Sequence, residues 1–217
     1  MDWSPLYISL RAACGAMVFT FFFGVLLARW VSGLRGPGRA VADGILTLPM
    51  VLPPTVLGFF LLLIFGRNSP LGRFFLSLGA RVVFSWQATV IAAAAVSLPL
   101  MYRTARGAFE QIDPALIAAA RTLGLSEGVI FLRIMLPLSW PSVAAGAVLG
   151  FARALGEFGA TLMLAGNIPG RTATIPVAIF FAAEGGRMDI ALVWVLIMTG
   201  LSFAVILPVN LWGGRRI

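Results

Sequence analysis

The chain has no lysine and no histidine, only one cysteine, and few charged residues of any kind. Without lysine it cannot carry the phosphate loop of Walker-type ATPases, in which a lysine contacts the β- and γ-phosphates. Without histidine it has no histidine-based catalytic triad and no histidine metal site. The lone Cys14 cannot form an intrachain disulfide, and its place in an apolar run predicts a small buried side chain. We therefore expect no catalytic residue and no metal site in this chain.

The residues that are present are mainly apolar. Hydrophobic residues make up 60% of the chain and charged residues only 11%, whereas a soluble domain is about a quarter charged. A water-soluble globule of 217 residues could not cover so much apolar surface. We therefore expect the chain to lie in a lipid bilayer, in contact with lipid.

Charge-poor runs predict an all-α polytopic membrane protein with about five transmembrane helices, in a single domain over residues 1–217. A spanning helix needs about 20 mainly apolar residues. The predicted spans lie near residues 12–31, 44–66, 82–102, 134–156 and 190–212. Residues 172–183 are also uncharged but too few to span, which predicts a short re-entrant or gate helix. A proline cluster at Pro49, Pro53 and Pro54 predicts that the second span bends near the inner membrane face.

The arginine positions indicate how the spans are oriented. With the N-terminus outside, nine arginines fall on the inner side: Arg29, Arg35, Arg39, Arg103, Arg106, Arg121, Arg133, Arg215 and Arg216. Six then fall on the outer side: Arg11, Arg67, Arg73, Arg81, Arg171 and Arg187. This excess predicts an outer N-terminus and a cytoplasmic C-terminus, and it places residues 103–133 in the cytoplasm. The arginines lie at span ends rather than in one patch, so we expect no nucleic-acid partner.

The segment between the third and fourth spans carries signals for two short helices around a turn. Asp113 before Pro114 predicts an N-cap followed by the first helical residue. Gly124 stands where a left-handed glycine ends a helix, and Ser126 predicts the cap of a second helix with Glu127 favourable in its first turn. That second helix should run towards Ile134, and Pro137 predicts the turn into the next span. We call residues 113–130 the helix–turn–helix unit. Taken alone, such a polar unit either caps the helix bundle or is gripped by a partner protein.

This segment resembles the cytoplasmic EAA loop of binding-protein-dependent ABC importer permeases. The family motif is Glu-Ala-Ala, three residues, Gly, nine residues, Ile-x-Leu-Pro. The positions that match are Ala119, Ala120, Gly124, Ile134, Leu136 and Pro137, while Ala118 replaces the family's Glu. The resemblance implies a type I ABC importer permease with a cytoplasmic coupling helix, to which Leu116 and Arg121 also belong. That helix would sit in a groove of an ATPase subunit, whose use of ATP and Mg would swing the spans between inward- and outward-facing states.

A second resemblance concerns the substrate. Residues 151–161, Phe-Ala-Arg-Ala-Leu-Gly-Glu-Phe-Gly-Ala-Thr, and residues 166–170, Gly-Asn-Ile-Pro-Gly, are similar to the molybdate branch of these permeases. Sulfate and thiosulfate permeases carry related versions, so these anions and tungstate stay alternatives. The resemblance implies a permease subunit of the bacterial or archaeal inner membrane that binds no cofactor itself. It would work as two copies with two ATPase subunits and a periplasmic oxyanion-binding protein.

The candidates for the translocation pathway or its gate are Arg153, Glu157, Asn167, Thr174 and Pro176. Arg153 and Glu157 are four residues apart on one helix face and form the only charged pair within a predicted span. A charge in hydrocarbon is costly, so we expect them to pair or to face an aqueous cavity. Bracing is the favoured role of Glu157, because a carboxylate repels a dianion; for Arg153 both bracing and lining remain open.

Two other classes of protein compete with this interpretation. A secondary transporter or channel would need intramembrane carboxylates or histidines for ion coupling, and beyond Glu157 the spans offer none. A membrane enzyme would need a nucleophile–base pair or a metal-ligand cluster, and the sequence indicates neither.

Overall fold

The computed structural model describes residues 2–213, which are helical for most of their length and contain no β-strand. The helices are α1 (Ser4–Ser32), α2 (Pro37–Val51), α3 (Pro54–Phe65), α4 (Pro70–Ser77), α5 (Trp86–Glu110), α6 (Pro114–Thr122), α7 (Glu127–Ile130), α8 (Leu136–Leu155), α9 (Gly159–Ala165), α10 (Ile175–Glu184) and α11 (Met188–Gly213). Arg215 and Arg216, two of the arginines used to predict orientation, lie outside the described residues.

Over residues 2–213, four helical stretches are long and apolar enough to cross a membrane: α1, α5, the stretch from α7 to α8, and α11. Helices α2 and α3 meet the same criteria only as a pair, which gives a fifth candidate span. This confirms the expected all-α polytopic fold with about five spans. The short helix predicted within residues 172–183 is α10, whose 10 residues are too few to span.

The second span is broken rather than gently bent. The axes of α2 and α3 are bent by 114° at a break around Leu52 and Pro53. Both residues have extended backbone, with ψ of 138° and 137°. The cause is local, because a residue that precedes proline is driven out of the helical region and proline donates no backbone hydrogen bond. Pro54 then opens α3 at a position where no donor is needed.

The helix that contains the fourth span begins at Glu127, before the predicted span. We expected Pro137 to mark a turn into the span, but α7 and α8 form one continuous helix joined by a π-helical segment, Phe131–Met135. The ring of Pro137 would clash with the carbonyl of Arg133 four residues earlier, and a wider π turn relieves that clash. Ser126 does stand at the N-cap of α7, yet its side chain makes no capping hydrogen bond there.

Small residues allow α1, α5 and α8 to pack closely. A Cβ atom on Gly24 would lie 2.8 Å from Met101 Cγ, and one on Gly146 would lie 2.8 Å from Thr104 Cβ. Helices in a bilayer depend on such close contact, because lipid competes equally well for apolar surface. Cys14 is exposed on α1, so the prediction that it is buried was wrong. Some of the apolar residues around Cys14 are likewise exposed on the outward-facing surface of α1.

One buried cluster joins the spans to the helix–turn–helix unit. It contains Val31 of α1, Met101 and Tyr102 of α5, Ala120 of α6 and Ile130 of α7. The unit is therefore packed onto the adjoining ends of several spans, and a force applied to it reaches more than one of them.

Candidate functional site

The helix–turn–helix unit folds from strong local signals. Asp113 Oδ1 accepts from the backbone N–H of Ala115 at 2.8 Å, which caps α6. Gly124 has a φ of +78° after the end of the helix. The N–H of Gly124 donates to Arg121 O and that of Leu125 donates to Ala120 O, a Schellman arrangement. The helix, its cap and its terminal glycine all agree with the prediction.

The motif residues fall into an outward and an inward set. Leu116 is 50% exposed, Leu123 is 80% exposed, and Ala118 and Ala119 are exposed beside them. An apolar surface with small side chains therefore faces outward on α6. Ala120 is buried in the core cluster, and Ile117, Ile134 and Leu136 pack against that cluster half-buried; Pro137 is exposed at the start of α8.

Glu127 links α6 to α1. Arg121 Nε donates to Glu127 Oε1 at 2.6 Å, and Arg29 Nη2 donates to Glu127 Oε2 at 2.7 Å. The pairing with Glu127 raises the pKa of Arg121, so that guanidinium remains charged. The sequence placed Glu127 only as a favourable residue in the first turn of a helix. Its partner Arg29 is 98 positions away, and no local pattern could have indicated the contact.

Arg153 and Glu157 form the expected ion pair, but they differ in exposure and in their other hydrogen bonds. Arg153 Nη1 donates to Glu157 Oε2 at 2.9 Å. The other carboxylate oxygen accepts from the N–H of Ala160 at 2.8 Å, which caps α9. Glu157 lies just beyond the end of α8, and its side chain is 2% exposed, against 38% for Arg153. Both oxygens of the carboxylate are thus used inside the protein, while the guanidinium remains accessible.

The accessible part of Arg153 faces a cavity of about 160 Å³. Its other walls are Pro49, Met50, Leu52 and Pro54 of the broken span and Val96 and Leu100 of α5. Arg153 is the only charged side chain in this lining. Since Val96 and Leu100 lie in the uncharged part of α5, the cavity lies within the membrane-spanning region.

Two helix breaks meet beside this cavity. A Cβ atom on Gly159, at the start of α9, would lie 3.0 Å from Pro54 Cβ and 3.2 Å from the backbone N of Thr55. The break between α8 and α9 therefore touches the break between α2 and α3. Non-helical backbone at membrane depth is tolerated only where protein buries it or where it lines a water-filled cavity.

The other pathway candidates lie elsewhere. Asn167 is exposed in the loop before α10, Thr174 is buried at the N-cap of α10, and Pro176 is half-buried in its first turn. The N–H of Ile175 donates to Ser9 Oγ of α1 at 2.8 Å, which fastens α10 to the N-terminal part of α1. Within the described residues, no hydrogen bond or ion pair connects these three residues to Arg153 and Glu157.

A hydrogen-bonded network that sequence reasoning missed joins α2 to α5. Tyr102 donates its hydroxyl proton to Asp43 Oδ1 at 2.9 Å, and Arg106 pairs with Asp43. Arg106 Nε also lies 2.7 Å from Glu110 Oε1, which Arg39 of α2 contacts as well. An isolated aspartate at the start of a long apolar run was the signal that could have drawn attention to Asp43.

No group of three or more potential metal ligands occurs among residues 2–213. The contacts described above provide two candidate functional surfaces, the outward apolar face of α6 and the Arg153 cavity.

Comparison with known proteins gives a match over most of the chain. Residues 20–212 match the family described as "Binding-protein-dependent transport system inner membrane component". The putative molybdenum transport system permease protein YvgM of Bacillus subtilis (strain 168) is 42% identical over 204 residues, which cover 94% of this chain and 90% of that protein. The molybdenum transport system permease protein ModB of Escherichia coli (strain K12) is 44% identical over 180 residues, covering 82% and 79%. The sulfate transport system permease protein CysT of Salmonella typhimurium (strain LT2) is 36% identical over 173 residues, covering 80% and 62%.

Solved structures with the same fold include a bacterial ABC transporter involved in the import of the acidic polysaccharide alginate. It has a TM-score of 0.74 at 20% identity and covers 98% of this chain and 79% of its own. The MetNI methionine ABC transporter in an inward-facing conformation has a TM-score of 0.75 at 16% identity, covering 97% and 94%. At these identities the likeness concerns the fold alone.

Proposed function

Because the chain belongs to the family of inner-membrane components of binding-protein-dependent transport systems, we propose that it is the translocation subunit of an ATP-driven molybdate importer. The multi-pass helical fold is that of ABC importer permeases. The observation that carries molybdate as the substrate is the identity of 42% and 44% to two relatives named as molybdenum permeases, against 36% to the sulfate permease.

We propose that two copies assemble through the face that contains the Arg153 cavity. A half-exposed guanidinium within the membrane cannot face lipid without a large cost. The extended backbone at Leu52 and Pro53 also needs protein or water around it. The neighbouring face of α2 and α3 carries exposed apolar side chains, including Val51 and Phe59. A second copy placed here would enclose a polar route between two apolar walls.

Energy for uphill transport comes, in this proposal, from two separate ATPase subunits. The chain has no lysine and so no phosphate loop of its own. The outward face of α6 offers Leu116, Ala118, Ala119 and Leu123 to the ATPase groove, and Ala118 in place of glutamate leaves the contact to shape and small side chains. ATP and Mg would be bound by the ATPase, this chain would bind no cofactor, and a periplasmic oxyanion-binding protein would deliver the substrate.

The test is uptake by proteoliposomes that contain this chain, its ATPase subunit and the oxyanion-binding protein. We expect ATP-dependent uptake of radiolabelled molybdate, and no uptake when the ATPase is left out. Uptake driven by an ion gradient alone would instead support a secondary transporter or channel. Competition by tungstate, sulfate and thiosulfate identifies the anion. Sulfate that inhibits uptake at low molybdate concentrations, but not when molybdate is saturating, would favour a sulfate permease.

The two-copy arrangement has its own test. In a Cys14→Ala background, a single cysteine at Val51, which is 82% exposed, should form an intermolecular disulfide in membranes. A cysteine at exposed Phe22 on the unbroken helix α1 serves as the control, and this variant should remain monomeric.

The proposed orientation is tested in the same Cys14→Ala background, with single cysteines at Asp2 and at Gln111. An impermeant maleimide should label only the first from outside the cell.

A further inference from the structure

We propose that Arg153 is a transient contact site for the tetrahedral oxyanion during translocation. In this proposal Glu157 holds Arg153 in place and weakens its attraction for the anion. This inference rests on the proposed function and adds the residue that meets the substrate.

The first step concerns charge. The cavity beside the two helix breaks has one charged side chain, Arg153, and otherwise proline, methionine, leucine and valine. An anion that enters this part of the chain therefore finds a single cation among apolar side chains. Guanidinium groups suit oxyanions, because they present several N–H donors in a planar fork.

The second step concerns what remains free on Arg153. Nη1 of Arg153 donates to Glu157, whereas Nε and Nη2 make no hydrogen bond within the described residues. The carboxylate has no such spare capacity, because one oxygen accepts from Arg153 and the other caps α9 through the N–H of Ala160. Glu157 is buried and is not among the residues that line the cavity, so an anion would meet the guanidinium rather than the carboxylate.

The third step concerns strength. A permease must release its substrate, so a fully unpaired guanidinium would hold a dianion too long. The carboxylate of Glu157 neutralises much of the field of Arg153 and leaves a weak site. Its cap on α9 also holds the pair at the junction where Gly159 touches Pro54, so movement of either broken helix displaces the guanidinium.

The test uses the full complex with ATPase and binding protein in proteoliposomes. Replacing Arg153 alone would leave the Glu157 charge buried and unpaired, which could unfold the chain. The informative variant is therefore the double change Arg153→Met with Glu157→Gln, in which the new amide carries no charge but retains an oxygen for the α9 cap. We expect this variant to assemble and to hydrolyse ATP at wild-type rates while molybdate uptake falls about tenfold, as expected for the loss of one charge-assisted hydrogen bond.

Two further variants separate contact from bracing. Arg153→Lys keeps the cation and its pairing with Glu157 but not the planar fork, and should lower uptake about threefold, whereas a purely bracing pair predicts unchanged uptake. Glu157→Gln alone removes the opposing charge, and should make uptake more sensitive to inhibition by excess tungstate, because the anion is held longer. A purely bracing role predicts no change in this sensitivity.

Normal uptake by the double variant, together with unchanged tungstate sensitivity in Glu157→Gln, would overturn the inference. Failure of the wild-type complex to take up any tetrahedral oxyanion would be a different result, because it would overturn the proposed function itself. If the wild type carries sulfate rather than molybdate, the same variants test the same contact, since both anions are tetrahedral dianions.

Discussion

The hydroxyl of Tyr102 in α5 lies 2.9 Å from Asp43 Oδ1 in α2, and this bond joins residues 59 positions apart. Helix α2 contributes no fully buried side chain to the core, although Ala42 and Leu46 pack against it in part. Helix α2, the first half of the broken span, is therefore held to the bundle largely by polar bonds. Such bonds can break and reform when a helix moves, whereas interlocked core side chains resist it.

Removing the Tyr102 hydroxyl should weaken this attachment. Tyr102→Phe should lower the free energy of unfolding by about 1–2 kcal/mol, because the hydroxyl loses the bond it donates to Asp43 and the one it accepts from Arg106, while Asp43 keeps its pairing with Arg106. The measurement is the thermal unfolding midpoint of the detergent-solubilised protein. Tyr7, the only other tyrosine, is 64% exposed, and Tyr7→Phe is the matched control that should leave the midpoint unchanged. Equal shifts in both variants would contradict the proposed attachment.

Glu127 should matter for coupling more than for stability. It accepts from Arg121 of α6 and from Arg29 of α1, so movement of α6 reaches α1 through one carboxylate. In Glu127→Gln we expect several-fold more ATP hydrolysed per molybdate ion transported. The thermal midpoint should hardly change, because exposed ion pairs contribute little to folding.

The control for this variant is Glu184→Gln. Glu184 is exposed and forms no ion pair among residues 2–213. Parallel measurements of uptake and phosphate release give the ratio directly. An unchanged ratio in Glu127→Gln would show that α6 acts on the spans by other contacts, such as Ala120 and Ile130 in the core cluster.

Gly124 should be required for the shape of the turn that ends α6. Its φ of +78° is a conformation that β-branched residues avoid, at a cost of about 1–2 kcal/mol. Nothing lies within 4 Å of the position of an added Cβ, so Gly124→Val would act through the backbone alone. We expect coupled uptake to be lost while ATP hydrolysis continues and the spans remain inserted. Gly128→Val, which also meets open space but lacks a positive φ, should preserve coupled uptake.

Local chemistry explains which features the sequence could predict. The Asp113 cap, the left-handed Gly124 and the apolar runs of the spans each depend on residues a few positions apart. The composition also predicted the membrane, and the loop motif predicted the family. The same reasoning placed Arg153 beside Glu157, because four residues make one helical turn.

The features that the sequence did not predict depend on contacts between distant segments. The bond from Arg29 to Glu127 and the contact of Gly159 with Pro54 have no local signature. Pro137 was misinterpreted because proline usually ends a helix, whereas here a π segment lets the helix continue through it. Cys14 was misplaced because an apolar run in a membrane protein has outward faces as well as buried ones.

The contact between α3 and α9 should tolerate no added atom at Gly58. A Cβ there would lie 2.8 Å from both Ala160 Cα and Met163 Cβ, so one of the two backbones would have to move. Gly58→Ala should therefore destabilise the protein by about 1–3 kcal/mol, although alanine normally favours a helix. The N–H of Ala160 donates to Glu157, which in turn pairs with Arg153. Displacement of Ala160 should therefore disturb Arg153 and lower molybdate uptake as well.

Gly44 of α2 provides the matched control, since an added Cβ there meets nothing within 4 Å. Gly44→Ala should stabilise the helix by about 0.5–1 kcal/mol and preserve uptake. Thermal midpoints and uptake rates of the two variants, measured side by side, separate close packing from the general effect of alanine in a helix. A Gly58→Ala variant as stable and active as Gly44→Ala would mean that the two broken segments do not meet as closely as 2.8 Å implies.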